Sequence, residues 1–268
     1  MKRDRCIFNK RTAILALTIL VAFSLKACTN DKVDYPEGSI IMTTTAKEVT
    51  LRLSGSDDIA IHWGDGKKSN LNEGLLLDFS GGFEFTHTYS SATTRTIYIT
   101  GMVEILDCAN IQLTNLDVSQ NPELKILYCS ENRLTELDVS KNTLLEELRV
   151  SGNQISTLDV GRNTALKDLR CSNNPIANIN VSANTGLTVL DLNRCQLSNL
   201  DLSKNIRMNS LCLNGNQFTT SALNDLFISL FSVPQGQYSF IDYTENPGSE
   251  DADHSILQEK NWLLQSCH

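Results

Sequence analysis

Aromatic side chains make up only 6% of this 268-residue chain and charged ones only 20%. So few rings leave little from which to build the aromatic platforms that sugar binding generally uses. Basic residues are scarce as well, with 23 Lys and Arg against 31 Asp and Glu and a formal charge of −8. Nucleic acid is therefore not an expected partner, because binding it needs concentrated Lys and Arg to displace counterions. The apolar run at residues 12–25 is 14 residues long, short of the roughly 18 to 20 that cross a bilayer as a helix. A serine elbow, a phosphate loop, a zinc-ligand spacing and an isolated carboxylate pair are all missing. No enzyme activity, cofactor or metal is expected on that basis. With 41% hydrophobic residues, the chain is still a folded protein with room for one large or two modest domains.

Repetition dominates what is present. Leu-Asp-Val-Ser occurs at Leu116 and Leu137, returns as Leu-Asp-Val-Gly at Leu158, and drifts to Ile179-Asn180-Val181-Ser182 and Leu200-Asp201-Leu202-Ser203. Each copy is followed by an Asn, at 121, 142, 163, 184 and 205, so the period is 21 residues. A second element keeps step: Leu127-x-Cys129-x-x-Asn132-x-Leu134, then the copies starting at Leu148, Leu169, Leu190 (with Cys195 in place of Asn) and Leu211. A fixed period of this length means a solenoid, in which stacked coils bury together the apolar face that no coil can bury alone.

The pattern resembles the leucine-rich repeat L-x-x-L-x-L-x-x-(N/C)-x-L, completed here by x-x-L-D-V-S-x-N. Its length, and the Cys at the second strand position of two copies, are most similar to the short repeats of internalin-type bacterial surface proteins. The resemblance covers five copies. It implies an α/β-type leucine-rich-repeat solenoid, mostly β with a parallel ladder and few helices, shaped as a curved rod. It also implies binding rather than chemistry.

Residues 1–27 read as a targeting segment, with a basic start before the short apolar run. Six Lys and Arg there oppose Asp4 alone, so the chain without them stands at −13. The segment ends in Leu25-Lys26-Ala27-Cys28, which resembles the lipobox of bacterial lipoproteins, although Lys26 replaces the usual small residue. That resemblance implies a lipid on Cys28, an exported protein anchored in the outer membrane, and residues 28–37 as a tether. An ordinary cleaved signal is the alternative. Asp31, Asp34 and Glu37 resemble the surface-export tags of some outer-membrane lipoproteins, which would place the protein at the cell surface.

Eight Cys in an exported chain would ordinarily indicate a disulfide framework. Position argues otherwise for Cys108, Cys129 and Cys171, which share an inward strand position. In-register neighbours on parallel strands sit about 4.8 Å apart, a poor match to the roughly 3.8 Å Cβ spacing of a disulfide. They read as small buried hydrophobes with free thiols. Cys212 falls at an outward position and can pair with Cys267 only if the C-terminal segment folds back over the strands.

Ahead of the repeats, residues 38–101 have period two. Val49, Leu51 and Leu53 alternate with polar residues, as do Ile59, Ile61 and Trp63, then Phe83, Phe85, His87 and Tyr89, then Ile97 and Ile99. This predicts a small antiparallel β-sandwich before the solenoid. Trp63-Gly64-Asp65-Gly66 with His87-Thr88-Tyr89 resembles the PKD-type immunoglobulin-like domain. His87 is in phase with Phe83 and Phe85 and is expected to be a hydrogen-bonded core residue; His62 points to the other face. Residues 102–113 read as an imperfect first coil, with Ile111 in place of Asn.

Within residues 102–218, Leu124, Leu127, Cys129, Leu134, Leu137 and Val139 and their equivalents should point inward. The Asn at 132, 153, 174 and 216 should bind backbone groups that would otherwise be buried unsatisfied, at about 1–3 kcal/mol each. The column Asp117, Asp138, Asp159, Asn180, Asp201 is expected to bind local backbone or the Ser two residues on, rather than calcium. Residues 219–268 read as a C-terminal α/β cap: a helix capped by Ser221 with Leu223, Leu226, Phe227 and Leu230 inward, a strand over 238–243, a turn at Asn246-Pro247-Gly248, and a last helical turn opened by Ser255 with Gln258.

With Leu127 and Cys129 inward, alternation puts Ile126, Tyr128 and Ser130 outward. Stepping by 21 gives the columns Asp107, Tyr128, Arg149, Arg170, Asp191, Cys212 and Ile105, Ile126, Glu147, Asp168, Val189, Ser210. In a leucine-rich solenoid such columns line the concave side, the surface solenoids use for binding. Tyr128, Arg149 and Arg170 belong to the residue types enriched in binding hot spots. The expected site is therefore Tyr128, Arg149, Arg170, Glu147, Asp168, Ile126 and Asp191, in a monomer. Its expected ligand is a protein or peptide, as in adhesion to a host or another cell. A bland alternative is a surface ion-pair ladder. Two other functions remain open: a glycan-binding component of a nutrient-capture system, and a structural envelope spacer.

Overall fold

The computed structural model describes residues 35–77 and 82–267. The targeting segment, Cys28 and most of the tether lie outside the described residues. From Tyr35 onward the chain is one compact unit.

Its first part is built of short alternating strands: β1 Ile40–Thr44, β2 Glu48–Gly55, β3 Ala60–His62, β4 Lys68–Asn70, β5 Leu75–Leu76, β6 Phe83–Thr88 and β7 Arg95–Thr100. Alternation does what it predicts. Val49, Leu51, Leu53, Ile97 and Ile99 are buried, as are Ile40 and Met42 opposite them. Trp63 is buried too, and the Tyr89 hydroxyl donates to its carbonyl at 2.7 Å. Gly64 turns the chain there with φ +77°, and a Cβ would stand 2.3 Å from the Thr96 carbonyl oxygen. His87 is the expected core histidine. It stacks on Trp63 at 4.7 Å between centroids, and its Nε2 lies 2.9 Å from Asp65 Oδ2.

The coils follow, one short strand each: β8 Val103–Asp107, then β10 Ile126–Tyr128, β11 Glu147–Arg149, β12 Asp168–Arg170, β13 Val189–Asp191 and β14 Ser210–Cys212, with β9 Leu113–Asp117 on the far side of the first coil. Neighbours from β8 to β14 along the ladder are parallel and one 21-residue repeat apart in register, for example Leu127 beside Leu148. Leu124, Leu127, Cys129, Leu134 and Val139 are all 0% exposed, and Leu137 is 7% exposed.

Two ladders of buried Asn close the coils. Asn153 accepts the Leu134 N–H at 3.0 Å and donates to the carbonyls of Cys129 and Val150 at 3.0 and 2.9 Å. Asn132, Asn174 and Asn216 do the same in their own coils. The second ladder joins Asn142, Asn163, Asn184 and Asn205, each donating to the backbone of the coil before it; Asn142, for instance, reaches the Val118 and Asn121 carbonyls at 2.9 and 2.7 Å. The Asp column behaves as expected. Asp117, Asp138, Asp159 and Asp201 each accept the N–H two residues on, at 2.8–2.9 Å, and Asn180 does so at 3.0 Å.

What joins the two parts is a shared pair of sheets. The first coil gives β9 to a five-stranded sheet of order β4-β3-β7-β1-β9 and β8 to an eleven-stranded one. In the larger sheet β8 pairs antiparallel with β2 and parallel with β10, so the antiparallel sheet runs on into the solenoid ladder. Ile111, standing where later coils have Asn, is buried against the sandwich, and its carbonyl accepts the Thr44 hydroxyl.

The C-terminal part departs from the sequence expectation in three places. Helix α1, Thr220–Ser229, is capped by Thr219 and not by Ser221; the Phe218 N–H is tied to Asn246, which sets the helix start two residues earlier. Helix α2, His254–Glu259, is capped by Asp253 and not by Ser255. Asn246 is no simple turn residue. It accepts from Phe218 N and donates to the Leu213 and Tyr243 carbonyls, continuing the first Asn ladder. Strand β15, Ser239–Asp242, and a further strand β16, Trp262–Leu264, therefore extend the parallel ladder past the fifth repeat.

Candidate functional site

Strands β10 to β13 are each three residues long, with the central Leu buried and the two flanking residues half-exposed. The flanking residues form two outward columns over the whole ladder. One runs Asp107, Tyr128, Arg149, Arg170, Asp191, Cys212, Asp242, and the other Ile105, Ile126, Glu147, Asp168, Val189, Ser210, Phe240. All seven residues expected at the site lie on this face, side by side.

Their side chains form one network. The Tyr128 hydroxyl donates to Glu147, and the Arg149 guanidinium lies over the Tyr128 ring at 4.3 Å. Arg149 also reaches Glu147 and Asp168, at 3.3 Å each. Arg170 holds Asp168 through Nε at 3.0 Å and one terminal nitrogen at 3.1 Å. Burial and the bond to Glu147 push the Tyr128 hydroxyl up to about 12. Arg149 Nε is buried without a hydrogen-bond partner among the described residues. Asp191 is the exception to the pairing: burial holds its carboxyl above the usual range, only partly offset by the Asn193 N–H and the field of Arg170.

The face is larger than the repeats alone indicate. Because β2 lies beside β8, Arg52 bonds both Asp107 at 3.2 Å and Glu84 at 2.7 Å, carrying the charged row onto the sandwich. No local pattern marks Arg52 or Glu84; only the strand pairing brings them in. At the other end a groove of about 740 Å³ opens over β12–β15. Its end wall is the chain after β16, held down by a disulfide between Cys212 and Cys267. The C-terminal segment thus does fold back over the strands. Asp242 fixes it further, accepting the Cys267 N–H at 3.1 Å. The signal for this last coil was Ile241-x-Tyr243-x-x-Asn246, visible once a spacing of 30 instead of 21 is allowed after Leu211.

Cys108, Cys129 and Cys171 are buried free thiols, as their register predicts, and Cys195 is a fourth. Among the described residues no group of three or more His, Cys, Asp or Glu is placed to hold a metal ion, and no helix is long and apolar enough to cross a membrane.

No protein-family model matches the chain, and no curated protein matches it. Among solved structures it is similar to the functional domain of InlJ from Listeria monocytogenes, described as including a cysteine ladder, with 38% identity, TM-score 0.49, and 57% of this chain and 32% of that one covered. It is also similar to the internalin InlF from Listeria monocytogenes, with 22% identity, TM-score 0.46 and coverage of 56% and 43%. A leucine-rich-repeat protein of Leptospira interrogans gives 24% identity, TM-score 0.45 and coverage of 52% and 36%. The chain spans less than half the length of each of these three. Its own coils define the fold: a 21-residue period, one parallel strand per coil and buried Asn ladders make it a leucine-rich-repeat solenoid, preceded by an antiparallel sandwich with which it shares both sheets.

Proposed function

We propose that this is an exported envelope protein, lipid-anchored through Cys28, whose solenoid strand face binds a protein or peptide partner, as in adhesion. The supporting observation is the row from Tyr128 to Asp191. It gathers an aromatic ring stacked with a guanidinium, a second arginine and a half-buried carboxylate on adjacent strands of one ladder. Arginine and tyrosine on a rigid floor are what interface hot spots use. A carboxylate kept partly desolvated and a buried Arg149 Nε left unpaired cost stability, which an ion-pair ladder serving stability alone would not retain.

The test is a peptide selected by display against the immobilised protein and then titrated in solution. Tyr128→Ala, Arg149→Ala and Arg170→Ala should each weaken it by about 1 kcal/mol or more, with the thermal midpoint nearly unchanged. Wild-type affinity in the triple variant would move the site off this face. Anchoring is tested separately: Cys28→Ala should abolish uptake of labelled fatty acid, and uptake that persists would refute it. More than one acyl chain is expected, since one alone anchors weakly.

A further inference from the structure

The groove over β12–β15 differs from the central row in its chemistry. There the charged groups engage one another; here the two arginines on the rim have carboxylates beside them, and apart from the Asp191 carboxylate the free groups are uncharged. Arg170 is held by Asp168, and Arg194 lies 3.9 Å from Glu245. The remaining polar lining includes the amides of Asn173, Asn209 and Gln265, whose side chains make no hydrogen bond among the described residues. Each amide presents two donors and an acceptor. Phe240 lies on the floor beside Ser210, with Val189 and the Cys212–Cys267 disulfide completing one apolar strip.

A volume of about 740 Å³ lies within the range of roughly 300–1,000 Å³ typical of small-ligand sites. A long peptide fits this lining poorly, because extended peptides are read by pockets for alternate side chains, and the groove offers one apolar strip closed at its end by the folded-back tail. Its match is a ligand without net charge, dense in groups that both donate and accept, with one apolar face to lay on a ring.

From this lining we propose that the groove is a second binding site, specific for a neutral saccharide, with a sugar face stacked on Phe240, its hydroxyls on Asn173, Asn209 and Gln265, and its end wall supplied by the tail that the Cys212–Cys267 disulfide secures. The site adjoins the protein-binding row and shares Arg170 and Asp191 with its end, but its proposed contacts are other residues and do not depend on that reading. The scarcity of aromatics over the whole chain does not weigh against it, since one ring serves one sugar unit.

The experiment is calorimetric titration of the purified protein with defined neutral oligosaccharides: gluco-, xylo-, manno- and galacto-configured series and N-acetylglucosamine oligomers. At least one series should bind with a dissociation constant of about 1 mM or tighter. For that ligand, Phe240→Ala and Asn209→Ala should each lower affinity about tenfold. The Cys212→Ser/Cys267→Ser pair should lower it similarly by freeing the wall. Gln265→Ala, an exposed substitution that leaves the core untouched, should weaken binding severalfold and guards against loss through misfolding. The proposal is overturned if no series binds, if binding is indifferent to Gln265→Ala and Phe240→Ala, or if a peptide library yields ligands that these same substitutions abolish.

Discussion

Replacing Cys195 by Asn should stabilise the protein, because among the coils after the first this one alone lacks the buried amide that its neighbours use. In the next coil Asn216 accepts the Leu197 N–H at 3.0 Å and donates to the Leu192 and Leu213 carbonyls at 2.8 and 2.9 Å. At position 195 a thiol reaches the Cys171 carbonyl at 3.5 Å, and the Ile176 N–H, with no Asn Oδ1 to meet, turns back to Asn174 at 2.8 Å. An Asn there would meet Ile176 N–H and the Cys171 and Leu192 carbonyls, replacing one weak bond with at least two good ones. At about 0.5–1.5 kcal/mol net per bond the gross gain is about 1–3 kcal/mol. The larger desolvation of an amide brings this to about 1–2 kcal/mol. For a folded unit of this size that is roughly 2–8 °C in thermal midpoint, read by circular dichroism. The converse substitution in the coil before, Asn174→Cys, should lower the midpoint by at least as much, since it deprives Ile155 N–H and the Val150 carbonyl of their partner. A Cys195→Asn midpoint at or below wild type would refute the assignment of the ladder as a source of stability.

Asn153→Ala should cost about 3–5 kcal/mol in urea unfolding, since it strands Leu134 N–H and the Cys129 and Val150 carbonyls in the core at about 1–3 kcal/mol each, less some relaxation. Asp191→Asn should hold or raise stability at neutral pH. Burial raises the folded-state pKa of Asp191, with Arg170 lowering and Asp168 raising it further, so above the unfolded value of about 3.9 the folded state binds more protons and stability falls as pH rises through that window. Stability against pH measured in both proteins should show the fall in wild type and its loss in the variant. Alkylation without denaturant, read by mass spectrometry, should leave Cys108, Cys129 and Cys171 unmodified; burial pushes all three thiols up, Cys129 to about 12. A disulfide between any two of them would contradict their register.

How much of this was legible in the sequence depended on whether the cause was local. The 21-residue period placed Leu127, Cys129 and Asn132 on the correct faces because strand alternation and the coil turn act within a few residues. It also placed Tyr128, Arg149, Arg170 and Asp191 on one face, since register fixes what stands beside what. The second Asn column at 142, 163, 184 and 205 was visible as a repeat, but its role was not, because its partners lie in the preceding coil. Sheet sharing escaped for the same reason. Nothing near Arg52 says that β2 will lie against β8, so its bond to Asp107 is a tertiary fact. Helix caps were misplaced where several capping residues adjoin, as in Thr219-Thr220-Ser221: propensity ranks them nearly alike, and the tie of Phe218 to Asn246 decides. The left-handed residues Glu131, Asn173, Arg194 and Glu245 before the ladder position, with φ between 51° and 58°, are set by the coil turn, for Glu and Arg against their own preference.

The central claim, that the strand face is the binding surface, is tested most directly by hydroxyl-radical footprinting with and without a selected peptide ligand. Protection confined to Ile126, Tyr128, Arg149 and Arg170, with the Asp117–Asp138–Asp159 side unchanged, is the predicted result. Protection on that other side or on the sandwich loops, with Tyr128 as reactive as in the free protein, would contradict the account.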